Sequence, residues 1–184
     1  MHRRLRRRLE IRRLATNESP LLLRSSSPSL SYNLRMPNIR RAVEADQAII
    51  ESMVREGKLN PFNVRWPNFL IAEDEGHIIG VGQLRPHTDG SRELASLVVE
   101  QAQRGKGVGS TLMRALMADQ PAPIYLFCEN EIEPYYQRFG FHRVERNTLP
   151  RPLARMFTAG IIVKGLDRLF SKSKAYLIGM RWDK

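Results

Sequence analysis

The chain has almost no cysteine. Cys128 is the single one among 184 residues, which excludes an internal disulfide and any cysteine-cluster zinc site and fits a reducing compartment. Histidine is also sparse: His2, His77, His87 and His142 are scattered without ligand spacing, so no metal is expected. No apolar run approaches the roughly 20 residues needed to cross a bilayer, and no membrane span is expected either. Acidic residues are scarce at one end only. Of the net charge of +11, residues 1–35 hold +7, from nine arginines against two glutamates. The rest of the chain is only mildly basic, which disfavours nucleic-acid binding by the folded part and reads as a solvated face or as a field steering an anionic ligand.

Residues 1–35 are arginine-rich and then serine-rich, with no sustained apolar periodicity. They read as a disordered or removable basic leader. Either they form a transit peptide that directs the protein to an organelle, or they lie upstream of a true start at Met36, which leaves a cytoplasmic protein. Residues 36–184 are expected to form one domain, since the 42% hydrophobic content suffices for a core.

Within that domain, a short strand is expected at 38–42. A helix follows over 44–56 with Ala45, Ala48, Ile49 and Met53 on one face, and Gly57 stops it. Pro61 and Pro67 break the segment 58–68, whose Phe62 and Trp66 either cover a pocket or pin the loop to the core. Apolar strands at 69–72 and 77–84 flank an acidic, glycine-ended turn. After a second turn at 87–91, strand 93–99 places Glu93, Ala95, Leu97 and Val99 on one face and Leu94, Ser96 and Val98 on the other. Beyond the helix that follows come a buried strand at 124–128, a short helix at 131–139 ended by Gly140, and a strand at 141–145. A basic-edged amphipathic helix at 153–170 then packs on its own sheet or lies on an anionic membrane, and a last strand occupies 175–182.

The organising stretch is 98–114. Gly105, Gly107 and Gly109 alternate between the strand end and a helix start, with Val108, Leu112, Ala115 and Leu116 at helical spacing. Such a loop admits positive φ and lets a ligand approach its amides, while the helix adds unpaired N–H groups. It is an anion site suited to phosphate or pyrophosphate. It is not a P-loop, because no Lys-Ser/Thr pair sits at the required place. Nor is it a dinucleotide fingerprint, since Ser110 stands where the third glycine belongs.

Arg104-Gly105-Lys106-Gly107-Val108-Gly109, after the strand end Leu97-Val98-Val99, resembles the acetyl-CoA motif of the GNAT superfamily of N-acyltransferases. Downstream, Asn130 and then Tyr135-Tyr136-Gln137-Arg138-Phe139-Gly140-Phe141 resemble that family's Tyr-x-x-x-Gly-Phe signature. The resemblance covers residues 38–146 best. It implies an α/β (α+β) domain with a mixed central sheet of about six to seven strands flanked by helices. It also implies acetyl-CoA as co-substrate, with pyrophosphate on the amides from Gly105 through Ser110 and pantetheine beside Leu97, Val98 and Val99.

A Val98 or Val99 N–H would then polarise the thioester carbonyl. The resemblance implies Glu93 as the base that frees the acceptor amine, Tyr136 as the acid at the leaving thiolate, with Tyr135 one position off register, and Asn130 as a pantetheine contact or a helix cap. Cys128 reads as a small core residue. Strand 93–99 is similar to that of glutamate-acetylating enzymes, which tilts the acceptor toward an amino acid or other small amine, bound by 58–68 and the segment near 149–157. Protein N-termini, lysine side chains and polyamines stay open, as do a homodimer and a non-catalytic CoA-binding sensor. A nucleic-acid-binding protein driven by the leader is the remaining alternative.

Overall fold

The computed structural model describes residues 36–170 and 174–184, so the basic leader at 1–35 lies outside the described residues. Along the chain run β1 (Asn38–Arg41), α1 (Gln47–Glu56), β2 (Phe69–Asp74), β3 (His77–Pro86), β4 (Arg92–Val99), α2 (Val108–Met117), β5 (Ile124–Glu129), α3 (Glu133–Gln137), β6 (Phe141–Val144), α4 (Arg151–Phe170) and β7 (Leu177–Trp182). The strands form one seven-stranded sheet in the order β1-β2-β3-β4-β5-β7-β6. Only β4 and β5 are parallel neighbours. The expected α/β class with a mixed sheet is what forms.

Local chemistry explains the connections. Glu75 and Gly76 take φ of 49° and 83°, the twin positive values of a two-residue hairpin whose twist matches its strands. Parallel neighbours need a crossover, and α2 supplies it between β4 and β5. The helix expected at 131–139 is shorter, because Asn130–Ile132 forms a 3-10 turn before α3.

Of the face expected for α1, Met53 is buried but the other three residues are not. Ile50, Met53 and Val54 are buried, whereas Ile49 is 44% exposed and Ala45 and Ala48 face solvent. The phase is set by Asp46 just before the helix. Its carboxylate accepts from the Val43 N–H at 2.8 Å and from Arg40 Nη1 at 2.7 Å, so a half-buried charge pair, and not apolar spacing alone, holds the entry to the helix.

Ile50, Met53 and Val54 pack against Phe69, Ile71, Val81 and Val98 on one face of the sheet. The same face, further along, carries Leu153 and Phe157 of α4 on Tyr125 and Phe127, with the Phe127 and Phe157 rings stacked at 5.3 Å. On the opposite face α2 lies so close that a Cβ on Gly80 or Gly82 would meet Leu112 at 3.1 Å or Leu116 at 2.9 Å.

β4 departs from simple alternation. Gly82 of β3 faces two residues, Ser96 and Leu97, because the register jumps between Gln83↔Ala95 and Val81↔Val98. Ser96 takes φ of 51°, and this β-bulge resets the phase of the strand. Leu97 and Val99 therefore join the α2 side, while Val98 joins Glu93 on the α1 side. The face assignment of strand 93–99 read from its spacing is corrected accordingly, since a bulge inserts one residue that alternation cannot foresee.

Candidate active site

β4 pairs with β5 at Arg92, Glu93 and Leu94 only, opposite Ile124, Tyr125 and Leu126. Beyond the bulge the two strands part. Meanwhile β5 stays paired to β7 through Glu129, so the edge left open belongs to the second half of β4. The Glu100 N–H donates to the Ile79 carbonyl of β3 at 3.0 Å. Strand alternation then turns the Val98 amide toward β3 and the Val99 amide toward the open edge. Val99 shows that orientation directly, for its carbonyl accepts from Arg104 Nε at 3.1 Å.

The glycine loop stands at the mouth of this opening. Gly105 and Gly107 have φ of 78° and 87°, and a Cβ on either meets nothing within 4 Å, so backbone conformation and not crowding requires glycine. Gly107 is the left-handed residue that starts α2, and its carbonyl accepts the Thr111 N–H at 3.0 Å. The N–H groups of Val108, Gly109 and Ser110 consequently have no carbonyl one turn back and point into the loop. Arg104 is exposed and turned back on Val99, while Lys106 Nζ reaches Gln103 Oε1 at 3.1 Å.

Gly109 has a different reason to be glycine. A Cβ there would stand 3.0 Å from the Tyr135 hydroxyl. Tyr135 thus touches the loop, and burial raises its phenol pKa above the usual range. Tyr136 lies deeper, in the apolar cluster of Leu94, Leu126 and Cys128, with its ring edge-on to Tyr135 at 5.2 Å. That cluster sits where β4 and β5 separate, and desolvation pushes the Tyr136 phenol well up. Burial likewise lifts the Cys128 thiol to about 12, which leaves it protonated and unreactive, the core residue expected.

Asn130 does not cap α3. Its side-chain carbonyl accepts the Tyr176 N–H at 2.8 Å and its own N–H donates to the Tyr176 carbonyl at 3.0 Å, which ties the end of β5 to the start of β7.

A second constellation, on the α1 face, was not foreseen apart from Glu93. Gln83 and Arg85 alternate along β3 and His87 follows just past its end, and Gln83 Nε2 donates to Ser96 Oγ at 3.0 Å. Glu93 Oε2 meets His87 Nε2 at 3.0 Å and Arg85 Nη1 at 3.5 Å, with all three side chains less than 10% exposed. Arg85 Nη2 also donates to the Phe62 carbonyl at 3.1 Å, which tethers loop 58–68. A cleft of about 510 Å³ opens there, lined by Asn63, Arg65, Pro67 and Asn68 of the loop and by residues 85–88. The sequence did carry a signal for this: polar side chains at every second place in an otherwise apolar strand. The other expected wall, near 149–157, is not open to the cleft, since Leu149, Leu153 and Phe157 are packed on β5.

The one parallel pair of the mixed sheet opens halfway, and a glycine loop and helix N-terminus stand at the opening, where backbone N–H groups suit an anion. Residues 65–143 match the family model of the acetyltransferase (GNAT) domain. Among solved structures, N-acetylglutamate synthase from Neisseria gonorrhoeae, complexed with coenzyme A and N-acetyl-glutamate, aligns with a TM-score of 0.62 at 16% identity over 80% of this chain. The chain spans 35% of that protein's length. Rv2747 from Mycobacterium tuberculosis, in complex with CoA, aligns at 0.59 with 20% identity over 80% of this chain and 99% of its own. Escherichia coli ElaA gives 0.53 at 15% identity, over 80% of this chain and 100% of its own. No curated protein matches by sequence. Among the described residues, no helix is long and apolar enough to cross a membrane.

Proposed function

We propose that this protein is an N-acetyltransferase that moves the acetyl group of acetyl-CoA to a small primary amine, an amino acid being the favoured class of acceptor. The observation that carries the reading is the partial pairing of β4 with β5 beside a glycine loop whose helix amides are unpaired. These residues fit CoA: amides from Gly105 through Ser110 hold the pyrophosphate, with Arg104 and Lys106 as adjacent cations. The open edge from Leu97 to Val99 pairs with pantetheine, to which Asn130 offers its amide NH2. Of the two valines, Val99 has its N–H on the open side, so it is the donor assigned to the thioester carbonyl, the fixed dipole facing developing negative charge. The co-substrate supplies an activated acyl carbon and a thiolate leaving group.

Glu93 serves deprotonation of the acceptor ammonium, which has no lone pair until it loses a proton. Tyr136 serves the leaving thiolate. Its phenol, raised by burial above an ordinary value of about 10, is a weaker acid than a thiol of about 8.5, so it stabilises the departing sulfur as a hydrogen-bond donor rather than by surrendering its proton outright. The carboxylate-bearing acceptors are favoured by Arg65 and Arg85 at the cleft. The test is calorimetric binding of acetyl-CoA combined with CoA release over a panel of amino acids, polyamines and peptides. Saturable binding with turnover of one amine class is expected; absence of binding sinks the proposal, and binding without turnover leaves a CoA sensor.

A further inference from the structure

The groups facing the cleft are arginines, asparagines, a threonine, prolines and one histidine, and of these only the histidine accepts a proton near neutrality. Glu93 does not line the cleft; it lies beneath, with its Oε2 shared between His87 and Arg85. We infer that His87 is the group that takes the proton from the acceptor ammonium, and that Glu93 is a positioning residue acting through it. This rests on the acetyltransferase reading of the site.

The step balances in atoms and charge. With its Nε2–H donated to Glu93, the ring presents the lone pair of Nδ1, and the carboxylate fixes that tautomer. An ammonium in the cleft gives one proton to Nδ1, becoming a free amine, and the imidazolium formed is stabilised by Glu93. The amine then attacks the acetyl carbon, the C–N bond forms and the C–S bond breaks. The second nitrogen proton leaves with the thiolate as thiol, and His87 returns its proton to water. The charges around the ring are Glu93 and Arg85 on the neighbouring strands, Asp89 in the following turn and Arg65 across the cleft.

The test follows CoA release from acetyl-CoA with two probe amines, ethylamine, which arrives as an ammonium, and hydroxylamine, which is largely a free base at neutral pH. Acetyl-CoA affinity is measured in parallel. His87→Gln is expected to lower kcat/KM for ethylamine by about 100-fold or more and to remove the acid limb of its pH profile, with a loss of only a few-fold for hydroxylamine. Glu93→Gln is expected to keep that limb but move it to lower pH, because the imidazolium loses its carboxylate; a purely structural role would leave its position unchanged. Acetyl-CoA affinity stays within about twofold in both variants.

Equal losses on both probes, or an unchanged limb in His87→Gln, overturn the assignment. So does wild-type protein that binds acetyl-CoA but turns over neither probe, whereas absent acetyl-CoA binding overturns the acetyltransferase reading itself. Should His87→Gln not fold, carbethoxylation of the wild type by diethyl pyrocarbonate decides: His87, as a residue lining the cleft, is expected to react, and a His87 left unmodified while exposed His77 and His142 react refutes the proposal.

Discussion

The two halves of the site are built from different materials. The glycine loop and the open edge of β4 present backbone amides, contributed by residues adjacent in sequence. The cleft beside loop 58–68 works through side chains from β3, β4 and a loop some twenty residues upstream, held by ion pairs and one tether to the Phe62 carbonyl. A backbone site tolerates most side-chain changes except where conformation demands glycine. A side-chain site of this kind is sensitive to loss of a partner, because Glu93, His87 and Arg85 are buried and held by one another, while Gln83 Oε1 and Arg85 Nε lack a hydrogen-bond partner.

The widest separation between the halves is expected for Gly107→Glu. The left-handed φ of 87° is strained for any side chain, and a carboxylate at the helix N-terminus opposes a pyrophosphate. Acetyl-CoA affinity falls about 100-fold, roughly the 3 kcal/mol that strain and repulsion supply together, with the cleft untouched; unchanged calorimetric binding refutes the loop assignment. Tyr136→Phe comes next. It is expected to lower kcat about 10- to 100-fold while acetyl-CoA affinity stays within about twofold, and a kcat equal to wild type removes Tyr136 from the chemistry.

Gly109→Ala sharpens the contrast within the loop, since its Cβ meets the Tyr135 hydroxyl at 3.0 Å. A loss of affinity of about fivefold, roughly 1 kcal/mol, is expected, and Tyr135→Phe in the same chain should recover most of it. If the double variant binds no better than Gly109→Ala, the contact is not the cause.

The smallest effect lies outside both halves. Arg40 holds the Asp46 carboxyl below the usual carboxylate range, so its contribution is present above an unfolded value of about 3.9 and is lost as pH falls through the lower folded value. Asp46→Asn should cost about 0.5 kcal/mol near neutrality by urea unfolding, since Arg40 is 31% exposed, and flatten the decline in stability on the acid side. An equally steep decline in the variant would assign it to other carboxylates.

Much of this was legible from local pattern. The strands, α2, the hairpin at Glu75-Gly76 and the loop of alternate glycines follow from turn residues and periodicity, because glycine and proline report backbone conformation at their own positions. The inward face of α1 was not legible, since Ile49 and Ile50 are equally apolar and only the Arg40–Asp46 pair selects between them. The bulge at Ser96 escaped for a related reason: nothing in Ala-Ser-Leu announces an extra residue, and its presence is decided by how β4 pairs with β3. Nor did spacing show which valine amide faces outward, or that Tyr135 and not Tyr136 touches the loop.

By itself, then, the sequence determined the backbone part of this protein: the order of elements and the glycine loop. Those features depend on neighbours within a few residues. Only the tertiary structure decided that β4 parts from β5 after Leu94 and that His87, Glu93 and Arg85 meet beside a cleft. These depend on register between strands, where a single inserted residue changes which side chains share a face.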